Sequence, residues 1–436
     1  MKHYNIVIIG GGPGGYEVAA RAAAAGSSVA LFEKDHLGGT CLNRGCIPTK
    51  CMCAAAARIL DIGSAGEFGI GVSEVKADYG QAKRRADGIV ADLRADISAS
   101  LAGVEVINAE ASLKGGGVVE AAGTEYSADT ILIASGSRPA QLRCAGAEYA
   151  IDSDMLLASE SLPAGPVAIV GGGVIGLEFA SVLNAFGVDV TVFEYCKEVL
   201  PGVDAELAKR LRTSLSRRGV GFVLGAAVEE IGADRTVSYS TRKGKDTFAA
   251  GTVLAAVGRR PVLPQGLDAA GVRLDGRGFI AVDPATMATS APGIYAAGDV
   301  NGLCMLAHAA SGQAKVALGF SQSLSVVPAV VFTEPELATV GLTVEAAREL
   351  YPQAMARKVP YAANGKALAE GHGSGLLKLV CDGDSGRILG CHVVGSHAAD
   401  LVAEAAVVIA AGMTCGDLAR VVHAHPSLSE LLLAAL

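Results

Sequence analysis

The sequence predicts an α/β protein with two Rossmann-like dinucleotide-binding domains and a C-terminal α+β domain. Two complete copies of one strand–glycine turn–helix–strand unit, about 160 residues apart, predict the first two domains. A change of texture past about residue 326 predicts the third. The 436 residues are too many for one ordinary core. A half-apolar chain, rich in Ala and Gly and without Trp, suits a glycine-punctuated α/β enzyme better than a disordered or disulfide-stapled secreted protein.

The first unit reads "YNIVIIG", "GGPGG", "YEVAARAAAAG", "SSVALFEKD", with Gly10, Gly12 and Gly15 in G-x-G-x-x-G register and Glu33 closing the second strand 18 residues after Gly15. The first glycine makes the tight turn and the second lets backbone approach a pyrophosphate. The third allows close helix–strand packing, and the helix N-terminus supplies N–H donors and positive dipole. An acid at the second strand's end would accept from ribose hydroxyls.

The second unit, "PVAIVGGGVIGLEFASVLNAFGVDVTVFEY", repeats the pattern with Gly171, Gly173, Gly176 and Glu194, again 18 residues past the third glycine. One chain is therefore expected to hold two dinucleotides. Glu194 would repel a 2′-phosphate, and Tyr195, Cys196 and Lys197 follow it with no immediate Arg, which predicts NAD rather than NADP.

Further glycine-bearing strand ends follow in "TILIASGSRP" (130–139), "VLAAVGRRP" (253–261) and "GIYAAGDV" (293–300). Asp299 in the last would either reach a ligand hydroxyl or serve as a helix N-cap. Past residue 326, "VVFTEPELATVGLT" and "LLKLVCDGDSGRILGCHVVG" read as strands, the latter with a hairpin at 382–386. "AADLVAEAAVVIAAGM" and "TCGDLARVVHAHPSLSELLLAAL" read as helices.

The balance of 36 basic to 44 acidic residues, −8 with no long run of one sign, gives no footprint for nucleic acid or anionic membrane. The first strand begins at Tyr4, leaving no room for a signal peptide, and no apolar stretch reaches spanning length. A cytoplasmic location is the expectation, and there a reactive cysteine pair is catalytic or metal-binding more often than a permanent staple.

"GGTCLNRGCIPTK" (38–50) carries such a pair, Cys41 and Cys46. A structural zinc site needs four ligands, and no second C-x-x-C pair exists, so no metal is expected. On a regular helix, residues five apart lie about 8 Å apart on different faces, beyond disulfide reach of roughly 7 Å. Gly38, Gly39 and Gly45 permit a distorted entry that would close the pair. Such a short loop is a poor staple and a plausible redox couple. The other cysteines, Cys51 and Cys53 included, are expected to be small buried hydrophobes.

The redox segment resembles that of the class I pyridine nucleotide–disulfide oxidoreductases, and within them the dihydrolipoamide-oxidising members. The resemblance runs through the chain in order: first fingerprint, cysteine pair, "ASGSRP", second fingerprint, "VGRRP", "GIYAAGDV", "LAHAASGQA", "FTEPELATVG" and "HAHPSLSE". It implies an FAD-binding domain (1–150), an NAD-binding domain (151–265), a central domain completing the FAD site (266–326) and an interface domain for dimerisation (327–436). The first fingerprint with Glu33 and Asp299 would hold FAD and the second with Glu194 would hold NAD; Ser135, Gly136, Gly258 and Ala307 join the cofactor-binding residues.

The same resemblance implies that Cys41 exchanges with substrate and that Cys46 lies against the flavin as a thiolate. Lys50 would stand near flavin N5 and pair with Glu178. His425 would be the acid/base, reaching the redox pair of a second subunit in an obligate homodimer, with Glu430 orienting its ring and His423 secondary. The implied substrate is dihydrolipoamide on the lipoyl domain of a 2-oxoacid dehydrogenase complex or a glycine-cleavage carrier protein. The alternative is reduction of another small disulfide, glutathione-like, at the expense of NAD(P)H. No Cys follows Cys415, unlike the C-terminal thiols of mercuric and thioredoxin reductases. Arg44, Val262 and Ser427 depart from the family pattern, as does the lack of charge after His308. Arg44 would depress a thiol pKa or meet a substrate carboxylate.

Overall fold

The computed structural model describes residues 1–321 and 323–436. The chain divides into two compact units. The first combines Met1–Cys51, Gln81–Ala140 and Gly258–Leu324. The second combines Met52–Gly80, Gln141–Val257 and Ser325–Leu436.

The first unit is built on a sheet whose parallel part runs in the order Val104–Asn108, Val29–Glu33, Lys2–Ile9, Thr124–Ile133. Ile294–Ala296 pairs parallel to Thr124–Ile133, with Ile294 opposite Ile131. Val118–Ala121 and Ala111–Gly115 add antiparallel strands. The first strand alternates its apolar residues between two cores, as a period of two requires. Val7 and Ile9 pack with Phe32, Ile131 and Ile133 on one face. Ile8 packs with Val18, Leu31, Leu132 and Ala314 on the other. The fingerprint helix Pro13–Ala24 begins with Pro at its first turn, where no N–H is missed, and buries Val18, Ala19 and Ala22. Three glycine-bearing turns, after Ile9, Ile133 and Ala296, leave the carboxyl ends of parallel strands, where open α/β sheets bind ligands.

The second unit repeats the theme in a four-stranded parallel sheet ordered Gly221–Leu224, Val190–Glu194, Val167–Val170, Thr252–Ala255. Its helix Val174–Ala185 follows the second glycine turn. An antiparallel sheet of Ala227–Ile231, Thr236–Thr241 and Gly244–Ala249 is a feature that no sequence motif announced. The C-terminal part is a five-stranded antiparallel sheet ordered Ala329–Val331, Glu336–Gly341, Ile388–Gly395, Leu376–Cys381, Met355–Pro360. Helix Ala398–Ala410 lays Leu401, Val402, Ala405 and Val408 on the core of this sheet.

One expectation is corrected here. The stretch 414–436 is not continuous helix: only Cys415–Leu418 and Glu430–Ala434 are helical, with His423 and His425 on the irregular segment between them. Pro426 lacks an N–H and disfavours helix at the residue before it, which outweighs the apolar spacing around it. Among the described residues no helix is long and apolar enough to cross a membrane.

Candidate active site

In the first unit the glycine turn is shaped by close approach. A side chain at Gly15 would overlap the Gly10 carbonyl oxygen, so the helix packs on the turn only because Cβ is absent. The Glu33 carboxylate is buried and accepts the Gly11 N–H at 2.7 Å and the Asp35 N–H at 2.8 Å. It therefore braces the turn from beneath, a role that sequence reasoning had not given it. Burial pushes its carboxyl up, against the pull of the Gly11 N–H and of Lys34 and Arg44.

The thiol segment is tied to this turn: the Gly38 N–H donates to the Gly11 carbonyl at 2.8 Å. Cys41 lies on helix Gly39–Arg44, and Cys46 opens helix Cys46–Ser64. Between them Gly45, at φ −148 and ψ −115, breaks what would otherwise be one helix. The two cysteines are not joined as a disulfide here, and Cys41 is hydrogen-bonded to Cys46. The Cys41 thiol is driven far up, first by that bond and then by burial and by the Cys46 charge; the Lys50 cation opposes them. A charge on Cys46 thus makes Cys41 harder to ionise. Tyr16, pushed up to about 12 by burial, has Glu17 and Cys41 as neighbours.

Two residues missed in the sequence hold this segment. The Asn43 side chain donates to the carbonyls of Leu37 and Gly39 at 3.0 and 2.8 Å, and its oxygen accepts from Arg94 at 2.6 Å. Arg94 is 51 residues away, so no local spacing reveals it. Arg44 ion-pairs with Asp35, and it is the Lys50 cation that pulls against the rise of the Cys41 thiol. Cys51 is half-buried, its thiol raised by burial with Arg85 opposing; Cys53 is half-buried too.

Ser135 donates to the Val262 carbonyl at 2.6 Å, and Gly136 accepts the Val262 N–H at 2.9 Å. The Asp299 carboxylate accepts from Ser137, whose hydroxyl also accepts from Arg259 at 2.7 Å. Asp299 sits in the short turn Gly298–Asn301. Gln313 accepts from the Gly298 N–H at 2.8 Å and from Asn301 at 2.9 Å. Ala307 starts the helix Ala307–Ala317, whose N-cap residue Leu306 makes no side-chain cap hydrogen bond. Gly258, at the edge of this unit, accepts the Ala140 N–H at 2.9 Å. The redox pair, Lys50, the first glycine turn, Glu33, Ser135, Gly136, Asp299 and Ala307 thus belong to one unit.

The second unit reproduces the turn atom for atom. A side chain at Gly176 would overlap the Gly171 carbonyl, while nothing stands within 4 Å of where a Cβ on Gly173 would be. Glu194 is buried and accepts the Gly172 and Cys196 N–H groups, each at 2.6 Å. Glu178 accepts the Phe332 N–H at 2.9 Å. Nδ1 of His425 lies 2.9 Å from Glu430 Oε1, and Glu430 also accepts the Ser427 N–H at 2.9 Å. Those two bonds, the backbone one first, hold the Glu430 carboxyl below its ordinary range. The His425 ring is open to solvent. His423 is instead packed away, its Nε2 2.6 Å from Glu404. A Cβ on Gly173 would meet open space and one on Gly12 only Gly39 Cα at 3.9 Å, so both turns leave the close approach that a pyrophosphate needs and the residues present fit two dinucleotides.

Residues 4–314 match the pyridine nucleotide-disulphide oxidoreductase family, and residues 327–436 match its dimerisation domain. The dihydrolipoyl dehydrogenase of Thermus scotoductus is 37% identical over 452 residues, spanning 100% of this chain and 97% of that protein. That of Geobacillus stearothermophilus is 36% identical over 449 residues, spanning 98% and 94%. The solved structure of the HOCl-induced flavoprotein disulfide reductase RclA from Escherichia coli is similar at a TM-score of 0.87 and 30% identity, covering 99% of each chain.

Proposed function

The chain belongs to the pyridine nucleotide-disulphide oxidoreductase family, and from that premise we propose that it oxidises protein-bound dihydrolipoamide to lipoamide with NAD⁺. It is a flavoprotein oxidoreductase whose cofactors are FAD and NAD, and its dimerisation domain supports a homodimer. The observation that carries the dithiol chemistry is the sulfur contact of Cys41 and Cys46 across the Gly45 break.

In the proposed cycle the two sulfurs start as a disulfide. The neutral His425 ring, contributed from the second subunit, takes a proton from one substrate thiol. Glu430 on Nδ1 fixes the ring so that Nε2 accepts, and stabilises the imidazolium. The substrate thiolate attacks the Cys41 sulfur and breaks the Cys41–Cys46 bond, leaving its electron pair on Cys46. The sulfur of the second substrate thiol then attacks that of the first, breaks its bond to Cys41 and releases the cyclic disulfide, its own proton passing to solvent. His425 returns its proton to Cys41, which the high proton affinity of that thiol favours. Lys50 offsets the charge left on Cys46, and pairing with Glu178 belongs to the same proposal. The chemistry that bound FAD would supply is two-electron transfer: the electron pair of Cys46 and the proton of Cys41 would leave together as a hydride to NAD⁺ as the Cys41–Cys46 bond re-forms. Gly10, Gly12, Gly15, Glu33, Ser135, Gly136, Asp299 and Ala307 would hold FAD, and Gly171, Gly173, Gly176, Glu194 and Gly258 would serve NAD. The lipoyl partner, of a 2-oxoacid dehydrogenase complex or a glycine-cleavage carrier protein, and a cytoplasmic location belong to this proposal.

The similarity to RclA supports a second reading, a disulfide reductase running the pair in the opposite direction on a glutathione-like substrate. One assay separates them: dihydrolipoamide with NAD⁺ or NADP⁺, beside glutathione disulfide with NADPH. The proposal expects activity in the first with NAD⁺, abolished by Cys41→Ser. Activity confined to the second overturns it.

A further inference from the structure

Cys381 and Cys415, 34 residues apart in sequence, lie with their sulfurs 3.1 Å from each other. Both belong to the second unit. We propose that they form a second oxidisable thiol pair, closing to a disulfide in the presence of a peroxide, separate from Cys41 and Cys46 and independent of the lipoamide reading.

The backbone around the pair is already fixed on both sides. Cys381 ends the strand Leu376–Cys381, where it is paired with Met355 on one side and Ile388 on the other. Cys415 begins the short helix Cys415–Leu418, and its N–H donates to Gly386 at 2.8 Å. The Ile388 N–H donates to Met413 at 3.0 Å, and Arg387 bridges to Thr414. The chain carrying Cys415 is thus stitched to the return arm of the hairpin that carries Cys381. Bond formation needs the sulfurs to close by about 1 Å to the S–S length of about 2.05 Å, a side-chain movement rather than a backbone one.

Exposure assigns the order of events. Cys381 is 2% exposed, while Cys415 is only half-buried. Burial, and then the Cys415 contact, raise the Cys381 thiol, so it is the poorer first nucleophile. The Cys415 thiolate attacks hydrogen peroxide, giving a sulfenic acid and water. The Cys381 sulfur then attacks the sulfenic sulfur, forms the S–S bond and releases a second water. Two thiols and one peroxide become one disulfide and two waters, with both electrons going to the peroxide. The bond would anchor the helix from which the segment bearing His423 and His425 departs.

The test uses the flavin-loaded enzyme, reduced and then freed of reductant. A small excess of hydrogen peroxide is added, free thiols are blocked with N-ethylmaleimide, and non-reduced peptides are identified by mass. The expected result is a peptide pair joined through Cys381 and Cys415, lost on dithiothreitol treatment and absent in Cys415→Ser. It should persist in a Cys41→Ser/Cys46→Ser background. Peroxide should also raise the melting midpoint of the wild type by at least about 2 °C and leave that of Cys415→Ser unmoved. Alkylation of both thiols after peroxide overturns the proposal. So does a peptide joining Cys381 to its buried neighbour Cys391 instead.

Discussion

Gly45 packs so closely against Thr40 that a Cβ on it would lie 2.8 Å from the Thr40 carbonyl oxygen. Because that oxygen is backbone, something must shift, and the first thing to shift is the break that lets Cys41 meet Cys46. Gly45→Ala is expected to cost about 1–3 kcal/mol and to slow exchange with a dithiol at least tenfold. Stopped-flow reduction of the oxidised enzyme by dithiol measures the rate, and thermal melting measures the cost. An unaltered rate would mean that the pair tolerates a continuous helix.

Glu194 and Glu33 perform one task in two places, each bracing a glycine turn by accepting two backbone N–H groups. A Gln at 194 turns one accepting oxygen into an N–H donor facing a backbone N–H. The loss of charged hydrogen bonds of about 1.5–3 kcal/mol corresponds to a KM for NAD⁺ higher by about 10–100-fold. Flavin content per chain should stay constant, because Glu33 is untouched. Flavin loss without a change in KM would mean that the two fingerprints are assigned the wrong way round.

Local order made much of this readable in advance. Each fingerprint lies within a contiguous stretch of about thirty residues, so strand, turn, helix and closing acid all stand in sequence. The Cys41–Gly45–Cys46 break was legible for the same reason. What the sequence hid is long-range. Arg94 reaches Asn43 across 51 positions, Arg259 reaches Ser137 across 122, and Cys381 meets Cys415 across 34. The cysteine pair had looked like two scattered hydrophobes. Arg44, placed between the thiols in sequence, has its partner in Asp35. The C-terminal stretch failed for another reason: its apolar spacing suits a helix, but a proline and a histidine–carboxylate pair set its backbone instead.

Glu430 touches Nδ1 of His425 and the Ser427 N–H, so it both orients the ring and holds the loop. Glu430→Ala should lower kcat for dihydrolipoamide oxidation on the order of 10², with the KM for NAD⁺ and the flavin content unchanged. A purely structural role would instead reduce flavin content and melting temperature together.

His423 supplies a pH dependence with a definite sign. Burial works to lower its pKa, but Glu404 at 2.6 Å and the Val421 carbonyl at 3.1 Å prevail and raise it above the ordinary 6.5. A histidine raised by folding contributes stability that is fully present below about 6.5, its unfolded value. That contribution is lost as pH climbs through the folded value. His392 acts in the opposite sense: burial lowers it, so the folded state gains nothing from its protonation and loses stability on acidification through its folded value. The net curve of the wild type therefore mixes the two, and a variant difference isolates one. Wild type minus His423→Gln, measured by urea unfolding at pH 6 and pH 8, should be larger at pH 6. A difference that is equal at both values, or larger at pH 8, would show that Glu404 does not hold a charged ring.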